Sequence, residues 1–219
     1  CIKEKNLNKD IYKETTILSY ISNLKDGMVE PDTFINENYK DFYLRNVGEV
    51  YSLYEKKLKQ YNALDFDDLI LKAVELFRDN PHVLDYYQRK FQYIFVDEYQ
   101  DTNKLQYQLV KLLSDRYKNI CVVGDPDQSI YSWRNADISN ILDFEKDFEN
   151  ATTIVLEQNY RSTKSILRVA NNVIKNNFER KEKNLWTVNE EGEPVVYVQL
   201  NDSEDEALFV AKKIRELMA

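Results

Sequence analysis

From residue 93 onward the chain alternates short apolar runs with stretches of helical periodicity. That alternation constrains the fold more than any other feature. Residues 93–96, 119–123, 152–156 and 194–200 read as strands. Residues 104–114, 138–147, 162–178 and 203–218 read as helices, the last opened by Ser203 with Glu206 three residues on. Strands alternating with helices of this length imply βαβ units and a parallel sheet. Such sheets carry their sites at the C-terminal ends of strands. Asp97, Gly124 and Gln158 fall at such ends.

The first strand, Tyr93-Ile94-Phe95-Val96, runs directly into Asp97 and Glu98 and on to Asn103. That order suits a buried strand whose tip holds a metal beside a reacting phosphate. Carboxylates plus a substrate phosphate are the usual way a protein holds Mg²⁺. The first acid can carry the metal and the second can polarise a water for in-line attack on a γ-phosphate. Taken alone, an Asp-Glu pair is more often a strand ending in a charged turn. The second strand is followed by Gly124-Asp125-Pro126-Asp127-Gln128-Ser129-Ile130-Tyr131-Ser132-Trp133-Arg134-Asn135-Ala136. Gln128 can bond a phosphate or a metal-bound water, Tyr131 and Trp133 offer flat faces for stacking, and Arg134 can clamp a phosphate. Singly, Trp133 could equally plug a helix and Arg134 pair with a surface acid. The third strand leads to Glu157-Gln158-Asn159-Tyr160-Arg161-Ser162-Thr163, where Ser162 or Thr163 can cap the next helix. Arg161 then lies near a helix N-terminus, a place that favours phosphate.

The runs 97–103, 124–134 and 158–163, in this order, resemble motifs II, III and IV of superfamily 1 DNA helicases of the UvrD/Rep/PcrA type. Asp65-Phe66-Asp67-Asp68-Leu69 resembles a further short element of that family, and the resemblance covers essentially the whole chain. It implies an ATP-dependent 3′-to-5′ DNA helicase and translocase, with ATP and Mg²⁺ as cofactors and single-stranded and duplex DNA as partners. By that resemblance Asp97, with Glu98, would hold Mg²⁺ and Glu98 would be the general base. Gln128 would sense the γ-phosphate, Tyr160 would stack on adenine and Arg161 would serve as an arginine finger. Phe66, Tyr131, Trp133 and Arg134 would contact DNA. The implied fold class is α/β: a helical subdomain followed by parallel βαβ units of a RecA-like (P-loop NTPase) motor core, incomplete. Residues 1–60 would be a helical insertion subdomain, 61–150 the rest of the first motor domain, and 151–219 the start of the second.

Residues 1–60 read as helices. Ile11, Ile17, Leu18, Ile21 and Leu24 recur at helical spacing, Gly27 and Pro31 break the pattern, and a second pattern runs from Pro31 to about Tyr61. Its tyrosines suit amphipathic core and rim. Asp65, Asp67 and Asp68 suit the first turn of a helix, where the dipole favours acids, better than a metal site. Pro81 opens another helix ending near Phe91.

The net charge of −8 argues against nucleic-acid binding. Residues 61–150, however, concentrate the excess, with 17 acidic against 10 basic side chains. Residues 161–183 hold seven Lys or Arg against two Glu, and local sign governs phosphate contact. There is no apolar run of membrane-spanning length and no signal-peptide pattern. Cys121, one of two cysteines, reads as a buried thiol, which suits a reducing, cytoplasmic setting.

Two departures from the family pattern stand out. Position 135 is Asn where relatives often carry Gly, and Asn tolerates the left-handed backbone. None of the four glycines opens a Gly-x-x-x-x-Gly-Lys-Ser/Thr phosphate loop, and motifs V and VI are missing. With Cys1 in first position, the chain is expected to be an internal fragment that does not hydrolyse ATP by itself. Other readings are a non-catalytic DNA- or partner-binding module, or part of a helicase–nuclease of the AddA/RecB type. A metal-dependent nuclease built on Asp65, Asp67 and Asp68 is the least favoured.

Overall fold

A computed structural model describes residues 1–177 and 180–219. The chain divides into two compact units, Cys1–Thr153 and Ile154–Ala219.

The first unit opens with three helices, α1 (Glu14–Asp26), α2 (Pro31–Glu37) and α3 (Phe42–Tyr61). Gly27 closes α1 through its amide to Asn23, and Pro31 starts α2 at a position that needs no amide donor. The Asp41 carboxylate accepts the Leu44 amide to cap α3. Ile17, Ile21, Val47, Val50 and Tyr51 form the core with Ile2 and Tyr12. Tyr12 stacks on Tyr43 with ring centroids 4.9 Å apart, so these tyrosines do serve as core and rim. Gly48 lets α2 press against α3: a Cβ there would meet Ile35 Cγ1 at 2.5 Å.

Next come α4 (Phe66–Asp79) and α5 (Pro81–Lys90), then β1 (Ile94–Val96), α6 (Lys104–Ser114) and β2 (Ile120–Val122). β1 and β2 pair in parallel, Ile94 opposite Ile120 and Val96 opposite Val122, making one βαβ unit. α4 packs on α6 around Leu71, Val74 and Leu105. The strands are not buried on both faces as expected. Phe95 is 77% exposed and its register partner Cys121 is exposed too, because no described element covers that face.

The helix expected over 138–147 is two short ones, α7 (Ser139–Leu142) and α8 (Phe144–Asp147). Asp143 leaves the helical region between them, and Phe144 turns in against Tyr99 and Phe148.

The second unit contains α9 (Lys164–Ile174) and α10 (Ser203–Met218). The helix expected over 162–178 spans only Lys164–Ile174: residues 175–177 are turn and coil, and Phe178 lies outside the described residues. α10 is capped by the Asp202 carboxylate, which accepts the Glu204 and Asp205 amides, and not by Ser203. Residues 152–156 and 194–200 are not strands, because neither run has a ladder partner among the described residues. Among the described residues the unit has a single isolated parallel bridge, Gln158 to Trp186, outside both runs. No described helix is long and apolar enough to cross a membrane.

Candidate functional site

The tips of β1 and β2 are joined by one buried side chain, Gln100. Its Nε2 donates to Glu98 Oε2 at 2.8 Å, and its Oε1 accepts the Asp125 amide at 2.9 Å. The Ser129 hydroxyl donates to the Gln100 carbonyl at 3.3 Å. Gln100 is 1% exposed, and both ends of its amide are used. The close approach explains Gly124: a Cβ there would stand 2.6 Å from Gln100 Oε1 and 3.1 Å from the Tyr99 nitrogen. Glu98 itself adopts the left-handed conformation, φ 51° and ψ 41°. Its amide donates to Asp97 Oδ1 at 2.9 Å, and both acidic residues are exposed at the strand tip. Gln128 ends the 3₁₀ turn Pro126–Gln128 and donates to Asp125 Oδ2 at 2.8 Å. Asp97, Glu98 and Gln128 thus share one hydrogen-bonded framework.

The aromatic candidates lie further along the same loop. Tyr131, Trp133 and Arg134 sit in and beside the turn Ser132–Arg134. The Arg134 guanidinium lies 4.6 Å from the Trp133 ring centroid and 5.8 Å from that of Tyr131. Trp133 is 69% exposed, which rules out the helix-plug alternative. Asn135 ends the turn at φ 62°. Phe66, the first residue of α4, is 90% exposed.

The acids flanking Phe66 have another role. Asp65 and Asp68 form a reciprocal capping box on α4, as their place in a first turn suggested. They also bind Lys25 of α1, whose Nζ lies 2.7 Å from Asp65 Oδ2, 2.8 Å from Asp68 Oδ1 and 2.8 Å from Glu55 Oε1 of α3. Lys25 is fully buried. Burial works against its charge, but bonds to Asp65, Asp68 and Glu55 outweigh that and hold its pKa above the usual lysine value. Burial likewise pushes the Tyr54 hydroxyl, which donates to Asp65, up to about 12. Among the described residues no cluster of three or more His, Cys, Asp or Glu could hold a metal ion.

In the second unit the loop before α9 carries Tyr160 and Arg161. Asn159 Oδ1 accepts the amides of Arg161 at 3.0 Å and Ser162 at 2.7 Å. Asn159, not Ser162 or Thr163, therefore satisfies these amides, and Thr163 makes no side-chain cap. Asn189 Nδ2 donates to the Tyr160 and Ser162 carbonyls, and both Tyr160 and Arg161 side chains are exposed.

Pattern reading did not single out Gln100, Lys25 or Asp26. Gln100 lies inside the Asp97–Asn103 run with no periodic signature of its own. Lys25 looks like an ordinary last-turn cation, since its acidic partners lie 30 or more residues away.

A family model for the UvrD/REP helicase N-terminal domain matches residues 1–149, and one for the UvrD-like helicase C-terminal domain matches residues 154–219. The chain is 55% identical over 216 residues to the ATP-dependent DNA helicase PcrA of Bacillus subtilis (strain 168). It is 54% identical over 217 residues to the protein of that name from Staphylococcus aureus (strain Mu50). Each match covers 99% of this chain and 29% of the relative's length. Two family models in order, together with this identity, show that the chain belongs to the UvrD/REP helicase family.

Proposed function

We propose that these residues form part of the motor of a cytoplasmic, ATP-driven 3′-to-5′ DNA helicase and translocase acting in DNA repair or replication. The observation that carries this reading is the bridge from Glu98 through Gln100 to Asp125, which ties the two strand tips into one framework with Gln128. Gln100 holds one carboxylate oxygen of Glu98 and leaves Oε1 to orient a water and take its proton. Gln128, at the end of the neighbouring turn, reads the γ-phosphate. Asp97, with Glu98, supplies the protein's share of a Mg²⁺ site. Two exposed carboxylates suit Mg²⁺, which would take its remaining ligands from water and substrate phosphates. Held there, Mg²⁺ would supply neutralisation of phosphate charge. Tyr160 stacks on adenine and Arg161 stabilises the transferring phosphoryl group.

Phe66, Tyr131, Trp133 and Arg134 contact single-stranded DNA. The exposed Trp133 and Phe66 faces support stacking on bases, worth about 1–3 kcal/mol each. The domain reading follows the same line: residues 1–60 as a helical insertion, 61–150 as the rest of the first RecA-like domain, and 151–219 as the start of the second.

These 219 residues contain no phosphate loop, so on their own they are expected to release no phosphate from ATP. The test is a chimera in which they replace the matching segment of the Bacillus subtilis relative. DNA-stimulated ATP hydrolysis should persist in the chimera and fall roughly 10²–10⁴-fold with Glu98→Gln. Turnover unchanged by Glu98→Gln would refute the assignment.

A further inference from the structure

We infer that Asp26, the last residue of α1, is a positioning residue for the turn that carries Trp133 and Arg134, and that it ties this turn to the segment leaving the β1 tip. Asp26 Oδ2 accepts Asn135 Nδ2 at 2.8 Å and Asp26 Oδ1 accepts Asn103 Nδ2 at 3.0 Å. The Asn135 amide group also donates to Asn23 Oδ1 at 2.8 Å, so two α1 residues hold it. Three segments far apart in sequence therefore meet on one carboxylate, through bonds that its charge strengthens.

Each asparagine sits where its fixing matters. Asn135 follows Arg134 at φ 62°, and its backbone N–H donates to Ser132 to close the turn. Asn103 is the N-cap of α6, two residues after the 3₁₀ turn that contains Gln100. A glycine at 135 would supply the left-handed backbone but no anchor. Asn135 supplies both.

The inference rests on the DNA reading only for what the turn does. The anchoring is tested without DNA, by hydrogen exchange of the Arg134 and Asn135 amides in this chain. Asp26→Ala and Asn135→Gly should each speed that exchange about tenfold, and the double variant should be no worse than either single one. The swap Asp26→Asn with Asn135→Asp puts one donor opposite one acceptor again and should restore protection. In a Trp186→Phe background, which leaves Trp133 as the only tryptophan, each single variant should weaken oligo-dT quenching of its fluorescence several-fold. Unchanged exchange and affinity in both single variants, beside clear quenching in the unsubstituted chain, overturn the inference alone. Faster exchange with no quenching in the unsubstituted chain overturns the DNA reading and leaves an architectural tie.

Discussion

Two acidic pairs in the first unit are built from the same functional group and are held in opposite ways. Asp65 and Asp68 face the buried ammonium of Lys25, which Glu55 also meets. Asp97 and Glu98 have no ion pair among the described residues. They are held by the Glu98 amide and the Gln100 side-chain amide, both neutral donors. The first arrangement consumes the negative charge inside the fold. The second fixes geometry and leaves both carboxylates exposed. The kind of partner, more than the presence of acids, separates a structural cluster from an available one.

Removing the cation from the first pair gives the largest expected effect. Lys25→Met leaves three carboxylates facing one another with no counter-charge and should cost about 3–5 kcal/mol in denaturant unfolding. A loss below about 1 kcal/mol would make the two pairs alike. Gln100→Met tests the neutral donors. It strips the Asp125 amide and Glu98 of a buried partner and should cost about 1–3 kcal/mol, with exchange at the Asp125 amide rising.

A pH series tests the first pair further. Burial opposes ionisation of Asp65, but the Lys25 and Asp68 bonds win and hold its pKa below the ordinary value. Its share of stability is therefore present at neutral pH and is lost as the pH falls below about 4. The pKa of Lys25 is raised, so its own share persists until strong alkali. Lys25→Met should flatten the acid-side decline, because Asp65 then loses the cation that holds its pKa down. The smallest effect is on stability itself: Asp97→Asn should move the melting free energy by less than about 0.5 kcal/mol, because the side chain is exposed and Asn can still accept the Glu98 amide.

Elements with local signals were legible in the sequence. Helix α6 has an Asn103–Gln106 capping box and a strong apolar stripe, and it lies at the expected residues. Gly27 and Pro31 marked the end of α1 and the start of α2 for reasons confined to their own backbones. What escaped depends on distant neighbours. The runs 152–156 and 194–200 have strand-like composition, but a strand exists only with a ladder partner. Cys121 sits in an apolar run, yet its burial depends on what covers the sheet. Lys25 and Asp26 look alike in sequence as the charged end of a helix. One is a fully buried hub and the other gathers two asparagines, and both facts depend on residues that close on them through the tertiary fold.

The left-handed backbone at Glu98 has a consequence for the balance of stability against use. A side chain larger than asparagine in that region costs on the order of 1–2 kcal/mol. Glycine would adopt φ 51° freely. Glu98→Gly should therefore relieve strain at the strand tip while deleting the carboxylate proposed as the general base and leaving the Gln100 side-chain amide without its acceptor. At this position the bond from the buried Gln100 amide to the carboxylate offsets the cost of the backbone conformation.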